Sequence, residues 1–130
     1  MIFKPTQPPR RFRVGQAGQV ELADCGSMAL AADEQITFVT GQGGEFDVTR
    51  KAWGFYATPS LNGRLASFGL RAALIRNVQT DRYFVALVER GHEADFDAYL
   101  VQETCEVVAW LDSTEALDRL RAHAAGAGGA

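Results

Sequence analysis

Residues 82–111, RYFVALVERGHEADFDAYLVQETCEVVAWL, decide the fold. In the first eight, Tyr83, Val85 and Leu87 share one face, and Phe84, Ala86 and Val88 share the other. A strand apolar on both faces predicts a central position, covered above and below. HEADFDAYLVQE follows, with Phe96, Tyr99, Leu100 and Glu103 at helical spacing. CEVVAWL is again apolar on both faces. Strand, helix and strand together predict a compact βαβ crossover of right-handed sense.

Working outward, LRAALIRNV (70–78) meets this segment through the polar turn QTD, which predicts a hairpin. On the other side Asp112 or Ser113 is positioned to cap a last helix, with Glu115 three residues after Asp112 as in a capping box. Leu117, Leu120 and Ala124 would be its buried stripe.

The first half of the chain reads as β structure. QVELADC (19–25) alternates, Gly26 breaks the run, and SMALAA (27–32) is a second short strand. QITFVT and EFDVTR flank GQGG, a turn between two β-prone runs. AWGFYAT (52–58) is a further strand, with Trp53, Phe55 and Ala57 on one side and Gly54, Tyr56 and Thr58 on the other. Residues 1–11 read as a flexible, basic, Pro-rich arm that favours polyproline geometry, and 125–130 as a disordered Ala/Gly tail. Between them, 12–124 read as one α+β domain. An antiparallel β meander leads to a β-hairpin, a βαβ unit and a C-terminal helix, with both helices on one face of the sheet.

Composition bounds the function. A chain of 130 residues, 47% hydrophobic and 22% charged, is long enough to build a core without disulfides or metals. No apolar run approaches the ~20 residues of a membrane span, and no secretory h-region is visible. A cytoplasmic protein with Cys25 and Cys105 as reduced, unpaired thiols is expected. The net charge is −3, but the charges are segregated. Residues 50–82 carry six Lys and Arg against Asp81, while residues 89–118 carry nine acids against Arg90. Such a distribution suits either internal compensation or a basic face for an anionic ligand.

Catalytic and metal chemistry is hard to place. Cys25, Cys105, His92 and His123 are scattered without the paired spacing of a zinc site. No Gly-x-Ser-x-Gly elbow occurs. Cys25 lies between Asp24 and Gly26, neighbours that do not activate a thiol. GQGG opens no helix, so it is no phosphate cradle. Asp95 and Asp97, two apart on a helix, do not face each other. Neither a cofactor nor a nucleic-acid partner is expected.

The stretch WGFYATPSLNGRL (53–65) concentrates what remains. Trp53 and Phe55 alternate as a core-facing pair would, while Tyr56 points to the opposite side. Ser60, Asn62 and Arg64 form a dense donor set on the loop that follows. Trp53, Tyr56, Ser60, Asn62 and Arg64 are therefore the candidate ligand-binding residues. Tyr56 would be an apolar wall, and Arg64 a forked contact for carboxylate or phosphate. The reading is a small, non-catalytic binding and interaction module, homodimeric, recognising an anionic ligand or an acidic partner segment. The alternative is a small enzyme or metabolite-binding subunit acting on a phosphorylated, carboxylated or nucleotide-linked compound. A deep pocket would favour the alternative; an exposed apolar patch or sheet edge would favour the interaction module.

Overall fold

The computed structural model describes residues 1–15 and 17–128. The chain is mixed α+β, with mostly antiparallel strands and two helices, the second at the C-terminal end. Contacts group it into two compact units, Met1–Ile36 with Val48–Tyr56, and Thr37–Asp47 with Ala57–Ala130, where the sequence reads as one domain. Residues 129 and 130 of the expected tail lie outside the described residues.

The first unit begins with a long two-stranded ribbon. Strand β1 (Ile2–Val14) pairs antiparallel with β2 (Val20–Ala29). Two sequence expectations are corrected here. The Pro-rich N-terminal segment is a paired strand, not a flexible polyproline arm. Proline holds φ near the extended range, and Thr6–Pro9 are accommodated where the register shifts between Pro5 and Arg10. Nor does Gly26 end a strand, because β2 runs through it. Gly26 lies opposite Pro5 with φ +147°, and a Cβ there would come within 2.4 Å of the Lys4 carbonyl oxygen. Only glycine fits that close approach. Arg10 pairs with Asp24 (3.6 Å), and Arg11 and Arg13 flank Glu21 at 3.5 and 3.8 Å.

A three-stranded sheet of order β3-β4-β5 follows: β3 (Gln35–Val39), β4 (Glu45–Lys51) and β5 (Gly54–Thr58). The GQGG turn closes the β3–β4 hairpin through Thr40 N–H to the Gly44 carbonyl, 2.9 Å. Side chains reinforce the pairing. The Thr37 hydroxyl donates to Asp47 (2.6 Å) and the Thr49 hydroxyl to Gln35 (2.9 Å).

The second unit contains the hydrophobic core. Strand β6 (Leu70–Asn77) lies between β7 (Arg82–Glu89) and β8 (Cys105–Trp110) and pairs antiparallel with both. Helix α1 (Glu93–Gln102) carries the chain from β7 to β8 across β6, so those two strands run parallel without touching. The alternating pattern is thus met with β6, not β7, as the central strand. Leu65, Leu70, Ala72, Ala73, Ile75 and Val88 are buried, and Phe46, Leu87 and Leu111 pack against the cluster of Leu65, Leu70 and Ala72. Phe96 of α1 meets Trp110 edge-on at 5.9 Å. Arg71 lies over the Trp110 ring at 4.0 Å and binds Asp112 at 2.8 Å. That contact occupies Asp112, and Ser113 is the cap of helix α2 (Thr114–Gly128), its hydroxyl accepting from Ala116 N–H at 3.0 Å. The helix takes in residues 125–128, which the sequence reads as tail. Its expected stripe is not buried: Leu117 is half-covered, while Leu120 and Ala124 are exposed. A helix of 15 residues is about 22 Å long, and only its first turns meet a covering surface.

Candidate functional site

The candidate residues divide between the two units, so each group is described within its own. In the first, β4 and β5 are joined by the tight turn Ala52-Trp53. Trp53 is therefore a turn residue, not a core-facing strand residue, and 71% of its surface is exposed. Phe55 and Tyr56, the next two aromatics, are 59% and 45% exposed. The expectation that Trp53 and Phe55 face a core is corrected: the turn ends the alternation one residue before it would matter. Trp53 and Tyr56 stack on each other, centroids 6.3 Å apart and planes 23° from parallel.

Two cations border this surface. Arg50 lies 5.6 Å over the Phe55 ring and donates to the Gly54 carbonyl at 3.4 Å. No ion pair holds it among the described residues. Lys51 is already neutralised by Asp33 at 2.5 Å, and that bond raises its pKa above the usual lysine value. Backbone bonds fix this corner: Asp33 N–H reaches the Arg50 carbonyl (2.7 Å) and Arg50 N–H the Glu34 carbonyl (2.9 Å). The outcome is two exposed groups on one hairpin: the Trp53–Tyr56 stack, and Phe55 on the other strand face with the Arg50 guanidinium over its ring. Aromatics and arginine dominate the energetic centres of protein interfaces. Sequence reading did not single out Arg50 and Phe55. The available signal was Gly54 directly after Trp53, which marks a turn at residues where the pattern was read as strand.

In the second unit, Pro59 is buried and the loop after it is built from its own polar groups. The Ser60 hydroxyl accepts from Arg64 N–H (3.1 Å), and the Ser60 carbonyl accepts from Leu65 N–H (3.1 Å). Asn62 donates from Nδ2 to the Thr114 hydroxyl at 3.1 Å, tying the loop to the start of α2. Both side chains therefore act within the fold. Arg64 is exposed, rests 5.3 Å over Phe68, and has no ion pair among the described residues. The loop delivers Leu65, the one large fully buried side chain among the described residues, into the core.

Elsewhere, His92 binds Asp95 through Nδ1 (2.9 Å) and Gln42 through Nε2 (2.6 Å). The hydrogen bond to Asp95 raises its pKa. Cys25 is an exposed free thiol and Cys105 a half-buried one. No helix among the described residues is long and apolar enough to cross a membrane. The chain matches no protein-family model, no curated protein and no solved structure.

Proposed function

We propose that this chain is a non-catalytic interaction module whose contact surface is the aromatic corner formed by Arg50, Trp53, Phe55 and Tyr56. The observation that carries the reading is the exposure of three successive aromatics on a hairpin anchored through the Arg50 backbone to Asp33 and Glu34. A rigid turn presenting large apolar rings loses little entropy when a partner covers them. Rings with one polar handle, such as Trp and Tyr, suit a surface that is wet on one side and covered on the other.

The favoured partner is an acidic protein segment. Arg50 supplies a guanidinium free of carboxylates, and the first unit carries six Lys and Arg against four Asp and Glu. Exposed rings suit an extended segment better than a small metabolite, which requires concave enclosure.

Calorimetric titration with an oligoglutamate peptide containing one tryptophan tests the reading, with an oligolysine analogue as control. Saturable binding of the glutamate peptide is expected, weakening as salt rises. Trp53→Ala and Arg50→Ala should each weaken it, the former by about 2 kcal/mol or more as for an interface hot spot. Equal binding by wild type and both variants, or no binding of the acidic peptide, would refute it.

A further inference from the structure

We infer that β7 is the seat of a two-fold homodimer, formed by antiparallel pairing of β7 with β7 of a second copy and centred on Phe84. This is a separate surface from the aromatic corner and stands without it.

The backbone directions follow from two hydrogen bonds. Arg90 N–H donates to the Gly69 carbonyl at 2.8 Å, which makes residues 69 and 90 a bonded pair at the end of the β6–β7 register. Bonded pairs recur at every second residue, so Arg82, Phe84, Ala86 and Val88 turn their backbone groups toward β6. Tyr83, Val85, Leu87 and Glu89 turn theirs outward. The Leu111 N–H to Ala72 carbonyl bond, 2.9 Å, fits the same phase, since it has Ala72 facing β8. The outer side of β7 is therefore a row of N–H and C=O groups at the end of the sheet.

Natural edges of this length are normally guarded by proline, charge, a bulge or a cover. β7 has no proline, glycine or charge between Arg82 and Glu89, and its eight-residue register with β6 is unbroken. The other edge of the sheet, β8, has both a register shift and Glu106. β1 carries three prolines, and β5 has only five residues. The first half of β7 is also bare on both faces: Tyr83 is 56%, Phe84 53% and Val85 66% exposed. An apolar strand open on two faces and one edge fits another strand of the same character.

Charge and cover select the register. Outward residues must oppose outward residues, a condition met by a dyad at any residue; those at Phe84, Val85, Ala86 and Leu87 pair five or more residues of β7, and the one at Leu87 falls almost wholly in the packed second half. A dyad at Ala86 sets Arg82 opposite Arg90 of the other copy, and one at Val85 draws the covered Leu87 and Val88 into the pairing. Like charges directly opposite are destabilising. The Phe84 dyad places Arg82 opposite Ala86 and Tyr83 opposite Val85, and sets the two Phe84 rings side by side. It also uses the exposed residues Arg82–Val85 and draws only Ala86 from the covered second half.

Sedimentation equilibrium of the full chain tests this at high micromolar concentration. Wild type is expected at twice the mass of one chain. Val85→Pro removes an outward N–H without touching the β6 ladder, and Phe84→Lys sets two ammonium groups face to face; both should sediment as monomers. In a Cys25→Ser background, Phe84→Cys should form an intermolecular disulfide on mild oxidation. A non-bonded antiparallel pair has Cα atoms about 4.5 Å apart, within the span a disulfide bridges. Circular dichroism checks the fold of Val85→Pro; should it unfold, Phe84→Lys and the disulfide decide. A monomeric wild type would overturn the inference, as would a dimer that persists in Phe84→Lys and does not cross-link through Phe84→Cys.

Discussion

Six hydrophobic side chains are buried in the second unit, whereas in the first the only buried residue among those described is Thr49, a polar one. The second unit is stabilised by apolar burial around Leu65, Leu70 and Ala72. The first is held by ladder hydrogen bonds, by Thr49 to Gln35, and by exposed ion pairs along its ribbon. Two-stranded ribbons with no packed face are marginal on their own, and exposed ion pairs add little. The contrast shows a division of labour. One region spends its apolar side chains on its own core, and the other keeps Trp53, Phe55 and Tyr56 on the surface.

The contrast is broken most forcefully at Leu65. Leu65→Ala empties a fully enclosed position and should destabilise the second unit by about 2–5 kcal/mol, read by urea denaturation. A loss below about 1 kcal/mol would show that this cluster is not the stabilising centre.

Gly26→Ala is the counterpart in the first unit. A Cβ at φ +147° and 2.4 Å from the Lys4 oxygen must displace β1, and strain of this kind costs about 1–3 kcal/mol. Amide exchange should speed up along β1 and β2 while β6 amides keep wild-type protection. Equal acceleration in both would mean that the two units unfold as one.

Ser113→Ala sharpens the picture within the second unit. It removes the hydroxyl that caps Ala116 N–H and should cost about 1 kcal/mol. Asp112→Asn should act through Arg71, not through the helix start, because Asp112 is bonded to that arginine.

Much of the second unit was legible because its elements obey simple periods. β6, β7, α1, β8 and the start of α2 fall where the pattern predicts them. The order of the sheet did not follow from pattern, since the two-sided apolar runs of β7 and β8 resemble central strands although both are edges. Their bare faces mimic burial in a sequence. In the first unit the prolines of β1 concealed a paired strand, because extended and polyproline geometries are neighbours in φ/ψ space. Of the candidate site, the aromatic half was visible as a cluster but its direction was not, since a two-residue turn at Ala52-Trp53 resets the alternation. The roles of Ser60 and Asn62 depend on Arg64 N–H and on Thr114, 52 residues away from Asn62, and no local pattern encodes such a partner.

A smaller effect comes from pH. His92 links the GQGG turn to α1 through Gln42 and Asp95, with Glu89 and Glu93 close enough to favour its charged form. Its pKa is raised in the folded state, so its contribution is fully present below the unfolded value and is lost as pH rises through the folded one. Exchange of the Gly41–Gly44 amides, corrected for intrinsic rate, should be slower at low pH than at alkaline pH. His92→Gln should abolish that difference, and a difference that survives would assign it to another group.

The least effect on stability is expected at the surface proposed for contact. Thermal unfolding of the Trp53→Ala/Tyr56→Ala double variant tests this directly. If the aromatic corner is a contact surface, the melting temperature should stay within about 2 °C of wild type, the span of roughly half a kcal/mol for a chain of this size. A fall of about 8 °C or more, equivalent to some 2 kcal/mol of lost packing, would show that the two rings belong to the scaffold and would contradict the proposed role.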